Sequence, residues 1–411
     1  MSSIFEGFLS SAEILEAFSE RNFLDAMLRF EASLARAQAS AGLIPEAAAQ
    51  SIAGTCKVEL FDVAKIVRES GRAGSIAIPL VKALKETVGL FNKEAAAYVH
   101  FGSTSQDVID TALALVTRNA MNLIEADVRK SVAALLMLAR RHAADPVLAR
   151  TLMQPASVTS FGFKCAGWAA PLARSLQRLQ VAGDNALSVQ LGGAVGTLAQ
   201  MKGRGPQIIA LMAADLKLKA SAFPWHTQRD EWVALGCELG LLVGSLGKVA
   251  KDISLMGQYE VGELAEPTEP GRGGSSAMPH KRNPVACMVA LAASARAPQR
   301  VAALLATMPQ EHERALGNWQ AELAEWPGLL MSAHGSVRAM AQALPGLQVD
   351  TQRMRANLDT LRAELPADAA DEWFTPELAK QAAGLAHAQA DAIEAQLAPA
   401  KTNDQRTKVN A

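Results

Sequence analysis

Apolar residues recur with helical spacing in nearly every region of this chain. In the first long segment Phe23, Met27, Phe30 and Leu34 follow a 4-3-4 rhythm, which predicts an apolar stripe on one helix, ending near Gly42 and Pro45. Gln106 to Asp145 then runs 40 residues without Gly or Pro. Its apolar positions (Val108, Ala112, Leu115, Val116, Leu123, Ile124, Val128, Val132 and Leu135) form a stripe, and continuous helix there would reach about 60 Å. Ser103, Thr104 and Ser105 offer capping hydroxyls at its start, and Asp107 suits its first turn. Thr227 to Leu264 and Pro284 to Met308 read as two more long helices, separated by the loop Ala265 to Asn283. Strand signals are sparse: alternating β-branched runs are short.

The pattern predicts an all-α fold, an elongated central helical bundle with smaller helical N- and C-terminal domains, divided at 1–103, 104–350 and 351–411. Helices of this length carry more apolar surface than one chain covers, so a homo-oligomer is expected. Trp232 to Ala250 looks superficially like a membrane span, but Glu238 and Lys248 interrupt it and would be costly in hydrocarbon. Gly236, Gly240 and Gly244 recur every four residues instead, a small-residue face for a buried bundle helix. No membrane association is expected. The final stretch, PAKTNDQRTKVNA, is polar and expected to fray.

Composition narrows the function classes. A length of 411 residues exceeds one compact core, and half apolar with a fifth charged describes an ordinary soluble protein. A net charge of −1 argues against a general nucleic-acid binder, which needs a basic excess. MSSIFEGFLS shows no basic region leading into an apolar one, so no secretory signal is read. Cys56, Cys165, Cys237 and Cys287 are scattered, as buried thiols in a reducing cytoplasm would be. The seven histidines include no i,i+4 pair and no cluster with other ligands, so no metal is expected. Nor is an organic cofactor: a GxxxxGK[ST] loop is absent, and QLGGAVGT (Gln190 to Thr197) has no preceding strand and reads as a turn between helices.

Three segments interrupt the helical pattern with small and polar residues, where helix ends favour anions. HFGSTSQD (His100 to Asp107) sits at the start of the 40-residue helix, as a plain cap or as a carboxylate site. ARTLMQPASVTSFG (Ala149 to Gly162) contains Pro155, which reads as a turn or helix start, and Gln154, which could face ligand or backbone. GRGGSSAMPHKRNP (Gly271 to Pro284) joins glycines that permit positive φ to two serines and a basic tripeptide, then enters a helix abruptly.

In this order on a helical chain, the three segments resemble the fumarase/aspartase superfamily over roughly residues 10–345. The third fits GSSxMPxKxN at every fixed position from Gly274 to Asn283. With WHTQRD (Trp225 to Asp230) and EHERALGNW (Glu311 to Trp319), the chain is most similar to the carboxymuconate cycloisomerase branch, with adenylosuccinate lyases next. The resemblance implies a homotetramer whose active sites are each built by three subunits, acting on a small carboxylate. It implies that Ser275 is the general base on a carbon next to a carboxylate. Lys281 and Asn283 would bind the activating carboxylate and stabilise the aci-carboxylate, Thr104 and Ser105 would hold a substrate carboxylate, Gln154 would contact substrate, and His100 would lie close by. Arg282, His280, Arg314 and Arg229 are candidates for the remaining carboxylates of a tricarboxylate.

One departure bears on the reaction. Lyases of the superfamily usually carry a His after the Thr of the second segment to protonate the departing group, whereas Leu152 follows Thr151 here. Lactone formation needs no such acid, because the attacking group is the substrate's own carboxylate. The expectation is therefore an intramolecular lyase of aromatic-acid catabolism. The alternatives are adenylosuccinate lyase or another fumarate-releasing lyase and, in a different class, a crystallin-like structural protein. After MRANLD (Met354 to Asp359) the chain leaves the superfamily pattern, so its C-terminal helical region is expected to be small or degenerate.

Overall fold

A computed structural model describes residues 4 and 6–398. The predicted polar tail at 399–411 lies outside the described residues. The helices run in the order α1 (Ala12–Ala17), α2 (Glu20–Ser40), α3 (Glu46–Thr55), α4 (Val63–Ala73), α5 (Ala77–Phe91) and α6 (Ser105–Arg141). A hairpin follows, β1 (Pro146–Thr151) with β2 (Gln154–Ser160), then α7 (Phe161–Ala186), α8 (Gly205–Leu216) and α9 (Asp230–Met256). After β3 (Leu264–Ala265) come α10 (Val285–Ala306), α11 (Asn318–Ala343), β4 (Gln348–Val349), α12 (Thr351–Glu364), α13 (Ala367–Trp373) and α14 (Pro376–Leu397). The fold is all-α, and the described residues add two small two-stranded sheets.

The chain divides into two compact units. The first comprises Met1–Asp127, Gln177–Gly247 and Met288–Ala339; the second comprises Val128–Leu176, Lys248–Cys287 and Met340–Ala411. In the first, α2 buries Met27, Phe30 and Leu34 as its rhythm predicts. The helix stops where Gly42 takes φ +68°, letting the N–H groups of Gly42 and Leu43 bond back to Ala39 and Gln38. Trp225, Trp232 and Trp326 stack at centroid spacings of 5.7 and 4.2 Å, with the Trp326 indole N–H on the Thr117 hydroxyl.

Helix α9 is long and apolar enough to cross a membrane by length and composition, and 56% of its apolar stretch is buried inside the protein. A Cβ added at Gly236 would lie 2.8 Å from Leu304, and one at Gly240 2.8 Å from Val301, so α10 approaches through both. The expected third member of that face is different: Gly244 faces open space, and Gly247 is the position pressed against Ser294. Two of the four cysteines, Cys165 and Cys287, are buried, and the other two are partly exposed.

In the second unit the segment around Pro155 is not a helix start. It is the hairpin, and Pro155, lacking an N–H, sits opposite Arg150 where the register shifts. Thr151 pairs with Gln154 across a two-residue turn in which Leu152 and Met153 both take positive φ, 51° and 65°. Asn-Gly is the sequence such a turn prefers. Left-handed backbone costs an ordinary residue about 1–2 kcal/mol, and these side chains are 96% and 71% exposed, so little packing repays it. Replacing Leu152-Met153 by Asn-Gly is expected to raise the unfolding free energy by about 1–2 kcal/mol, read as a higher urea midpoint at unchanged slope.

The C-terminal stretch that leaves the superfamily pattern folds onto this hairpin. Leu358 and Phe374 bury against Leu148, flanked by Val158, Leu361 and Leu365. The Ser157 hydroxyl donates to the Trp373 carbonyl at 2.7 Å, and Arg140 binds Asp391 and Glu394 of α14.

Candidate active site

In the first unit the segment HFGSTSQD turns into α6 under the control of Asp107. The predicted hydroxyl caps are corrected here, because it is the Asp107 carboxylate that takes the N–H of Thr104 (3.1 Å) and the hydroxyl of Ser103 (3.4 Å). The same carboxylate accepts the N–H groups of Gly192 and Gly193, each at 3.0 Å, and faces His226 Nε2 at 2.7 Å. That gives QLGGAVGT its purpose. A side chain at Gly192 would collide with the His226 ring, and Gly193 holds φ +70°. With capping done by Asp107, the Thr104 and Ser105 hydroxyls make no hydrogen bond among the described residues and are part-exposed at the helix N-terminus. His100 stands at the head of the loop, its Nδ1 2.5 Å from Glu31 Oε1.

On the first turns of α6, Gln106 and Asp110 join the other quoted motifs. Gln106 donates to Asp110 and to the His226 carbonyl, and accepts from Arg314 at 2.9 Å. Asp110 accepts from Trp319 and Gln190 and pairs with Arg229 at 2.9 Å. Arg229 completes its fork on Glu322 and lies over the Trp225 ring at 4.5 Å. Its side chain is 0% exposed, as are both carboxylates. The expectation that Arg229 binds substrate is therefore corrected: its donors are committed to two internal acids. Burial pushes the Glu322 carboxyl up against the opposing pull of Arg229. Arg314 is also engaged, donating to Gln106 and the Gly193 carbonyl, with its Nε buried and unpaired.

The second unit carries the glycine-rich segment and the hairpin tip. Gly273 at φ +69° passes so close to the Asn283 carbonyl that a Cβ would lie 2.6 Å from it. The Asn283 N–H donates back to the Gly273 carbonyl at 2.8 Å, and Gly274 bridges Arg282, so the segment closes on itself. Inside it, Ser275 Oγ accepts the N–H groups of Met278 (3.0 Å) and Ala277 (3.4 Å). Two N–H dipoles on a serine oxygen favour its alkoxide. His280, Lys281 and Arg282 present exposed side chains in the same loop. The start of α10 is already occupied, since Glu266 accepts the N–H groups of Ala286 and Cys287 while Arg272 pairs with Glu266 and Glu269. Gln154 stands exposed at the end of the hairpin turn beside Leu152.

So Ser275, Lys281 and Asn283 share one closed loop, and Thr104, Ser105 and His100 share another. Sequence reasoning missed Glu31, His226 and Asp110 as site-building groups. Glu31 had a readable signal, because it lies one turn from Met27 on the apolar stripe, where a carboxylate is out of place.

The sequence model of the lyase family matches residues 10–298. The 3-carboxy-cis,cis-muconate cycloisomerase of Pseudomonas putida is 44% identical over 366 residues, covering 89% of this chain and 87% of that protein. The crystal structure of the 3-carboxy-cis,cis-muconate lactonizing enzyme from Pseudomonas putida superposes with a TM-score of 0.83 at 41% identity, covering 96% of this chain and 90% of the other. A nitrosuccinate lyase of Streptomyces davaonensis is 40% identical over 372 residues, 89% of this chain and 78% of that one. By motif, sequence and fold together, this chain is an enzyme that belongs to the lyase family, the fumarase/aspartase superfamily.

Proposed function

We propose that the chain interconverts 3-carboxy-cis,cis-muconate and 4-carboxymuconolactone. The observation that carries this reading is the hairpin tip: Thr151, Leu152, Met153 and Gln154 offer no group able to protonate a departing amine or hydroxide. Cycloisomerisation does not ask for one. A carboxylate of the substrate adds across the neighbouring double bond, and only carbon needs a proton. Ser275 supplies it from its hydroxyl, and in the reverse direction its alkoxide removes it. Lys281 and Asn283 stabilise the negative charge that builds on the carboxylate next to that carbon. Thr104, Ser105, Gln154 and His100 hold the rest of the substrate, with His280, Arg282 and the half-buried Arg314 as further contacts for its carboxylates.

In this reading the protein works without metal or organic cofactor in the cytoplasm, in aromatic-acid catabolism by way of protocatechuate and β-ketoadipate. It assembles as a homotetramer that shares sites between subunits. The three-part division at 103/104 and 350/351 belongs to the same reading. A second reading, a fumarate-releasing lyase, has the 40% identity to a nitrosuccinate lyase behind it.

The test is direct. Purified protein with carboxymuconate should lose the conjugated-diene absorbance, while nitrosuccinate and adenylosuccinate release no fumarate. Fumarate release with unchanged diene absorbance would replace the first reading by the second, and silence on every substrate would favour a crystallin-like role.

A further inference from the structure

Glu31 occupies the buried face of α2 beside Phe30, and its side chain is 0% exposed. One oxygen meets His100 Nδ1 at 2.5 Å, while Oε2 is buried without a hydrogen-bond partner. A carboxylate buried this way is strongly unfavourable unless a positive charge answers it. His100 is the group placed to do so. Its ring is 14% exposed, and its backbone takes φ +60°, a conformation that His tolerates better than most residues. The ring meets Glu31 at the head of the loop carrying Thr104 and Ser105. The other ring nitrogen, Nε2, has no partner among the described residues.

The charged groups facing the ring are Glu31 from α2, Asp107 from α6 and Lys85 from α5. Burial opposes a charged ring, but the two carboxylates outweigh burial and Lys85 together, and the pKa of His100 is raised. Near Glu31 itself lies Cys56, whose thiol is pushed far up by burial and by Glu31, against the pull of Arg36.

The protonation state decides what Nε2 presents. With Nδ1–H committed to Glu31, a neutral ring exposes a lone pair at Nε2, which repels a carboxylate. A protonated ring exposes a charged N–H, which binds one.

We propose that Glu31 is a positioning residue that holds His100 as an imidazolium, with Nε2–H kept as a permanent donor to a substrate carboxylate. The substrate half of this inference rests on the function proposed above; the ion pair does not.

The experiment uses the whole enzyme with histidines labelled at Cε1, and a His100→Asn variant to assign the His100 signal. Glu31→Gln keeps the shape and removes the charge. It is expected to lower the pKa at which the His100 signal titrates. It should also raise KM for carboxymuconate about tenfold at roughly pH 7.5, where the ring without its carboxylate partner is neutral, with a smaller rise at roughly pH 5 as protonation recovers, and with kcat little affected. Glu31→Asp, if the glutamine variant folds poorly, should restore the high titration point. An identical His100 titration in wild type and Glu31→Gln, or a KM defect of equal size at both pH values, overturns the proposal. A shifted titration with no turnover of carboxymuconate by wild type supports the ion pair and sinks the substrate assignment instead.

Discussion

Replacing Ser275 by alanine is expected to lower kcat for carboxymuconate turnover by about 10²–10⁴-fold with no loss of folded stability. The serine oxygen accepts two N–H groups of a part-exposed loop, which water can satisfy in its absence. The loop's closure depends on the Gly274–Arg282 bridge and the Asn283 N–H, neither of which involves the serine side chain. A serine hydroxyl is far too weak an acid to serve as a base unaided. Its role stands on those N–H dipoles and on the cations of Lys281 and Arg282 in the same loop. The readout pairs diene absorbance with a thermal melt. Full activity in Ser275→Ala would remove Ser275 as the proton carrier, whatever the melt shows.

Replacing Arg229 by methionine is expected to do the opposite, destabilising the fold by about 3–5 kcal/mol. The guanidinium answers two carboxylates that are wholly shielded from water, Asp110 and Glu322, and it also covers the Trp225 ring. Methionine can fill the volume but leaves both acids without a counter-charge. Chemical denaturation should show a much lower midpoint. A variant with wild-type stability and a raised KM would instead reinstate Arg229 as a substrate contact.

That pair of outcomes marks the difference between what the sequence made legible and what it did not. The stripes of α2 and α6 were readable because a 3.6-residue period survives any tertiary context. The helices α9 and α10 fall within the predicted spans, with the glycine-rich loop between them. The hairpin was not readable. Its turn residues, Leu152 and Met153, carry no turn chemistry, and Pro155 read equally as a turn or a helix start. Arg229 was misjudged because a charged residue in a motif looks like a ligand contact until its burial is known. The face of α9 was right at Gly236 and Gly240 and wrong at Gly244, since α10 returns to contact only at Gly247. Asp107 looked like a first-turn acid; its partners at Gly192, Gly193 and His226 lie more than eighty residues away and leave no local mark.

Asp107 also determines how the first loop meets its ligand. Five donors converge on that carboxylate, so the backbone presenting Thr104 and Ser105 is rigid before anything binds. The ordering entropy of this half of the site is spent during folding, and a substrate carboxylate finds its hydroxyls already in register. The Ser275 loop closes mainly on itself and keeps its Lys281 and Arg282 side chains in solvent, so it is the part with freedom left to respond. Recognition and proton transfer thus rest on segments of unequal stiffness, and a change in one can alter affinity without disturbing the chemistry of the other.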